Sequence, residues 1–134
     1  MKIMVFLYLA SVAYSVSTYA AESEVTPEDR AVQSWKEACA SGGPQACEMA
    51  AYQANGNGFT FEAKRLYKKA CDGGLMSSCR LYGVMQYEAG NSKLAMRYAK
   101  KACKGGSQEA CLNVEVLTQQ LRIERIEAKK RDGQ

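Results

Sequence analysis

Six cysteines are the side chains of this sequence with the most chemistry open to them. They could bond to one another, hold a metal, or remain thiols that attack and exchange. They fall in three pairs: "ACASGGPQAC" (Ala38 to Cys47), "ACDGGLMSSC" (Ala70 to Cys79) and "ACKGGSQEAC" (Ala102 to Cys111). Within each pair the cysteines lie eight positions apart. On one unbroken helix that is about 12 Å of rise, whereas a disulfide needs Cα atoms within about 7 Å. Bonding within a pair therefore requires the chain to turn back, and each pair encloses two adjacent glycines.

Other cysteine chemistry fits less well. There is no histidine and no C-x-x-C knuckle of the structural-zinc type. A redox centre wants a strained or exposed pair, and three equivalent pairs argue for scaffolding instead. Buried free thiols would suit a cytosolic chain. Serine chemistry has no apparatus: S-x-x-K, S-D-N and K-T-G are absent, and without histidine a Ser-His-Asp triad is impossible. Ser77, Ser78 and Ser92 have no evident base in the sequence, and Ser92 suits a helix start. The residues thus name no catalytic group, no metal ligand set and no cofactor.

The elements that must place the cysteines repeat with them. First cysteines are Cys39, Cys71 and Cys103, and second cysteines are Cys47, Cys79 and Cys111, both series stepping by 32. "AVQSWKEAC", "AKRLYKKAC" and "AMRYAKKAC" align without a gap. Trp35, Tyr67 and Ala99 are equivalent, as are Lys36, Lys68 and Lys100, and Gly42, Gly74 and Gly106. A fixed period of this length marks a repeat architecture. Of the fifteen pairings six cysteines allow, the repeat selects 39–47, 71–79 and 103–111.

The period divides the chain into helices. Thr26 caps the first, with Pro27 at its first position and Glu28 and Asp29 in its first turn. It runs to about Ala40; Gly42 and Gly43 stop it, and a second helix starts at Pro44 and runs to about Asn55. In the second unit Ala63, Leu66, Tyr67, Ala70 and Cys71 form the inner face, and Lys64, Arg65, Lys68, Lys69 and Asp72 the wet one. Cys79, Tyr82, Gly83 and Tyr87 mark the next inner face, and Asn91 can cap the fifth helix. A sixth starts near Ser107, where Val114, Leu117 and Leu121 continue the apolar stripe. Trp35, Tyr52, Tyr67, Tyr82, Tyr87 and Tyr98 read mostly as packing between helices, and Met76, Met85 and Met96 as gap-filling core. The fold class is all-α: an α/α solenoid of about three disulfide-stapled helix-turn-helix repeats.

The first twenty residues differ. "MKIMVFLYLASVAYSVSTYA" carries one charge, Lys2, then an apolar run from Ile3 to Val16, with small Thr18 and Ala20 near its end. Residues 1–20 read as a secretory signal peptide, with an uncleaved membrane anchor as the competing reading. Six cysteines in a short exported chain fit three disulfides, placing the protein in the periplasm or outside the cell. Residues 21–30 are a lead, residues 31–118 the repeats (about 31–62, 63–94 and 95–118), and residues 119–134 a capping helix with a charged tail. Cleavage would leave no stable membrane span.

The formal net charge, +4, is too mild to argue for nucleic acid. Basic residues nevertheless recur in register: Arg65, Lys68 and Lys69, then Arg97, Lys100 and Lys101, with Lys104 beside them. They are the candidate binding residues, suited to an acidic partner or an anionic envelope polymer, against the alternative of a plain solvated face.

From Cys79 to Cys111 the unit reads C-x-x-Y-G-x-x-x-x-x-A-G-N-x-x-x-A-x-x-Y-x-x-K-A-C-x-x-G-x-x-x-x-C. It resembles the SEL-one-like repeat, in particular the cysteine-rich branch typified by the Helicobacter cysteine-rich proteins. Gly83, Gly90, Asn91, Ala95, Tyr98, Ala102, Cys103, Gly106 and Cys111 carry the resemblance, which covers about residues 31–118. It implies an exported right-handed superhelix of antiparallel helix pairs with one disulfide per repeat, and since solenoids work by extended surface contact the expected function is binding a protein or peptide through the concave face. It also implies an alternative, because some members are described as penicillin-binding proteins with weak β-lactamase activity. There are departures. Family repeats usually run a few residues longer; Ala51 and Glu115 stand where Gly83 does, and Arg122 replaces the equivalent of Gly90. A structural or immunity-type envelope protein with a co-encoded partner is a third reading.

Overall fold

The computed structural model describes residues 25–133, so the leader assigned to residues 1–20 lies outside the described residues. Five helices follow: α1 (Pro27–Gly56), α2 (Thr60–Asp72), α3 (Met76–Glu88), α4 (Ser92–Lys104) and α5 (Gln108–Asp132). Among the described residues there is no strand.

α1 begins as its sequence dictates. The Asp29 backbone N–H donates to Thr26 Oγ1 at 3.1 Å, and the Thr26 N–H donates to Asp29 Oδ2 at 3.2 Å, closing a capping box. The stop expected at Gly42 and Gly43 is where the structure puts it. At Gly43 a φ of 75° and a ψ of −166° interrupt the helical backbone. Such a conformation is open to glycine and strained for other residues. The span α1 is therefore two helices that double back at a corner, with the Cys39 and Cys47 Cα atoms 4.0 Å apart. Pro44 then restarts the helix, as Pro can at a first position. α1 thus has two arms, residues 27–42 and 44–56.

The remaining corners share one design. Gly58, Gly74, Gly90 and Gly106 all have positive φ and stand 16 residues apart. At Gly74 the N–H donates to the Cys71 carbonyl at 3.0 Å, and the Leu75 N–H donates to the Ala70 carbonyl at 3.1 Å. These are the two bonds of a Schellman motif, and the same pair recurs at Gly58, Gly90 and Gly106. α2, α3 and α4 are accordingly 13 residues each. The 32-residue period is two half-periods, each a 13-residue helix and its corner.

Each helix packs chiefly on its neighbours in sequence, as in a solenoid. The first arm of α1, α2 and α4 form one layer: Lys36 pairs with Glu62 at 3.7 Å, and Lys101 Nζ donates to the Cys71 carbonyl at 3.5 Å. The second arm of α1, α3 and α5 form the other, where Ser77 and Ser78 on α3 meet Glu48 on α1. Between the layers lies a core rich in small side chains: Ala51, Ala54, Ala63, Ala70, Ala95, Ala102 and Ala110 are wholly buried. Small residues let the helices approach closely. At Gly83 an added Cβ would sit 3.3 Å from the Ala95 carbonyl oxygen and 3.4 Å from the Ala99 nitrogen. Aromatic pairs fill the rest. Trp35 meets Phe59 edge-on at 5.4 Å, and Tyr82 meets Tyr98 at 4.6 Å.

Three side chains depart from expectation. Tyr52 and Tyr87 are exposed, at 74% and 39%, rather than packed inward. The helical register puts Gln86, not Tyr87, on the inner line, and Gln86 is buried. Asn91 makes no cap bond to α4; its Nδ2 donates to Gln86 Oε1 at 2.9 Å instead. A buried amide needs a partner, and that demand takes the side chain away from the helix start. Ser107 does cap α5, accepting from the Ala110 N–H at 3.3 Å.

Candidate functional site

The cysteines hold the site's helices together. The structure joins Cys39 to Cys47, Cys71 to Cys79 and Cys103 to Cys111, with Cα atoms 4.0, 4.5 and 4.6 Å apart, and leaves no free thiol. Each bridge ties the last turn of one helix to the first turn of the next, across a glycine corner. Closing a loop of this length removes about 2–3 kcal/mol of disorder from the unfolded chain. Bridged sulfurs are neither nucleophiles nor metal ligands. Three disulfides fit an oxidising, extracytoplasmic environment. Among the described residues no helix is long and apolar enough to cross a membrane.

The structure places the six candidate basic residues on the outward sides of α2 and α4, adjacent in one layer. It divides them by electrostatic setting. On α2 two of the three are neutralised: Arg65 pairs with Glu62 at 3.4 Å and Lys68 with Asp72 at 2.6 Å. The bond to Asp72 holds the Lys68 ammonium above its ordinary pKa. Lys69 is exposed, and no carboxylate among the described residues pairs with it.

On α4 the same pattern stands without counter-charge. Thirty-two residues on, Arg65, Lys68 and Lys69 become Arg97, Lys100 and Lys101, while Glu62 becomes Leu94 and Asp72 becomes Lys104. Lys93 adds a fifth cation, and α4 has no acidic residue at all. All five are exposed, and among the described residues none lies within ion-pair distance of a carboxylate. Half-buried Met96, equivalent to Lys64, sits among them in one shallow groove. The substitution of both carboxylates is visible in the sequence, because Glu62 and Asp72 stand at i, i+3 and i, i+4 from Arg65 and Lys68 on one helix.

The other layer offers a different surface. An apolar groove of about 210 Å³ between α3 and α5 is lined by Val84, Tyr87, Val116 and Leu117. Tyr52, Val84 and Val116 are register equivalents; Val84 and Val116 line this groove, and Tyr52 lines another between the second arm of α1 and its neighbours. Between α1 and α3 the structure supplies a carboxylate to two serines whose sequence showed no base. Ser77 Oγ donates to Glu48 Oε1 at 2.5 Å and Ser78 Oγ to the same oxygen at 3.0 Å. Ser78 is wholly buried. Nearby, Tyr67 is held above its ordinary pKa of 10.0, mainly by burial and then by the Glu48 and Tyr52 charges, with Arg80 opposing. A carboxylate is a far weaker base than an imidazole, so this cluster is better suited to fixing the first turn of α3 than to activating a serine.

Compared with family models, with curated proteins and with solved structures, the chain finds no match.

Proposed function

We propose that this chain is an exported, disulfide-stapled repeat scaffold of the SEL-one-like type, acting in the periplasm or outside the cell. It binds a protein or peptide partner through the layer face formed by α2 and α4. The observation that supports this reading is the open row of uncompensated cations on α4, set beside α2 on bridged helices. Rigid helices hold a binding row at fixed spacing, which lowers the ordering cost of association. Stacked repeats work through extended contact of this kind rather than through a catalytic pocket.

The test is face-specific crosslinking in the producing cell. A photo-crosslinking residue is placed at Lys100 on the α4 face, and in a second variant at Tyr52 on the opposite layer. A discrete adduct from position 100 and none from position 52 is the expected result. Adducts from position 52 alone would move the binding surface to that opposite layer, and no adduct from either would end the scaffold reading. The Ser77–Glu48 contact keeps the β-lactam alternative testable. Incubation of the oxidised protein with a chromogenic β-lactam is expected to give neither turnover nor a mass adduct. Turnover that survives repurification and disappears in Ser77→Ala would establish a hydrolase instead.

A further inference from the structure

We infer that the α4 face binds an acidic polypeptide segment, one in which carboxylates flank an apolar side chain; this rests on the scaffold reading above. Four observations converge on it. The first is the comparison within the chain itself. Two helices carry the same cation pattern, and one of them keeps its counter-ions at Glu62 and Asp72 while the other has Leu94 and Lys104 there. The charge on α4 therefore waits for a partner that the chain does not supply.

The second is the cost α4 carries. Lys93, Arg97 and Lys101 repeat at i, i+4 and i+8, and Lys100 and Lys104 form a further i, i+4 pair. Like charges at that spacing destabilise a helix. Lys93 also sits in the first turn, where the helix dipole disfavours a cation and where α4 has no acidic residue. The last-turn cations Lys101 and Lys104 agree with the dipole, and the Cys103–Cys111 bridge pins that end. A cation row kept despite its own repulsion is accounted for when an anionic ligand neutralises it.

The third is dimension. From Lys93 to Lys104 the helix rises about 16 Å, so the row matches about five residues of extended chain or three turns of a helix. The fourth is Met96, an adaptable apolar contact half-buried inside the row and packed against the Ala95, Ala99 and Leu117 cluster. It gives an aliphatic side chain a place to sit between carboxylates. A phosphate or sulfate polymer has nothing to put there, and the row is mainly lysine, whereas planar two-pronged phosphate recognition favours arginine. An acidic peptide with an apolar residue uses both features.

The experiment is a fluorescence-anisotropy titration of the full, oxidised protein. The probe is a short labelled peptide of glutamates around a central leucine. Companion peptides carry glutamine for glutamate, or serine for leucine. Vesicles of phosphatidylglycerol in phosphatidylcholine supply the lipid comparison. Binding is expected for the glutamate–leucine peptide, weakening as salt rises, and lost with glutamine. The serine peptide is expected to bind more weakly. The double reversal Arg97→Glu/Lys100→Glu should weaken binding by about tenfold or more. Lys129→Glu/Lys130→Glu, an equal charge change on the tail of α5, should leave it little altered. Lys100→Gln/Lys104→Gln is a milder variant for the case in which the reversal disturbs folding, which circular dichroism checks. Equal weakening by both reversals would reduce the effect to net charge and overturn the site. Tighter binding to the vesicles than to the peptide would assign the face to a lipid surface and overturn the peptide. If the peptide fails while position 100 still crosslinks a partner, the acidic segment falls and the scaffold stands.

Discussion

Glu48 shows how much one carboxylate can organise in a thin stack. It belongs to the first unit, yet its oxygen receives the hydroxyls of Ser77 and Ser78 in the second. Ser78 is wholly buried, so its hydroxyl has no water to turn to. Removing the acceptor should leave that donor unsatisfied, at a cost of about 1–3 kcal/mol. We expect Glu48→Ala to lower the urea midpoint with an unchanged slope. In a double-mutant cycle with Ser78→Ala the losses should fall short of additive, because the second change removes the group that the first one orphans. Strict additivity would show that the two side chains act independently. At the same scale, exposed Asn91 donates to the side-chain oxygen of buried Gln86. The sequence offers Asn91 as a cap, and only the burial of Gln86 shows why the side chain serves elsewhere.

The elements are set by their corners. Four glycines at a 16-residue spacing each adopt positive φ and close the same pair of backbone bonds. An added Cβ at Gly58, Gly74, Gly90 or Gly106 would meet no atom within 4 Å, so the cost of a side chain there is conformational and not steric. Each Gly→Ala change should cost about 1–2 kcal/mol. Gly56 is the control. It too has open space, but it lies at the helical end of α1 without positive φ. Gly56→Ala should be neutral or stabilising by up to about 1 kcal/mol. Thermal melts of the five variants check this, and a Gly56→Ala loss as large as the others would refute the conformational account. The 16-residue half-period was present in the sequence as Gly42, Gly58, Gly74, Gly90 and Gly106. The cysteines and aromatics, which repeat only every 32, masked it.

At the scale of the molecule, stability in a stack is local, since each helix leans on its neighbours in sequence. The bridges should therefore differ by position. Cys71 and Cys79 are wholly buried in the middle, Cys39 and Cys47 nearly so, and Cys103 and Cys111 are half-exposed near the last helix. Exchange needs access to a sulfur. Under mild reductant we expect 103–111 to open first and 71–79 last, read by timed alkylation and peptide mass mapping. Simultaneous opening of all three would mean that the stack unfolds as one unit. α5 belongs to the same argument. Its Leu117 is buried and its Val114 and Leu121 half-buried, but beyond Arg122 nearly every residue faces water, including Ile123 and Ile126. The charged stretch that the sequence marks as a cap continues as helix past the last packing contact.

By itself the sequence determined the all-helical class, the pairing of the cysteines and most of the inner faces. These follow from periodicity, and periodicity is a property of the chain before it folds. Glycine positions, cysteine spacing and the order Ala63, Leu66, Tyr67, Ala70 already encode where helices turn and which side they bury. The ion pairs within α2 are written there too, Glu62 with Arg65 at i, i+3 and Lys68 with Asp72 at i, i+4. Lys68 and Lys100 are the same residue type at the same register position, yet one has Asp72 beside it and the other has no counter-charge. Only the tertiary structure decided the contacts between units: Lys36 with Glu62, the Lys101 ammonium on the Cys71 carbonyl and the reach of Glu48 to Ser78. Periodicity describes one helix at a time, whereas contacts from one helix to another depend on distances that exist only once the helices are stacked.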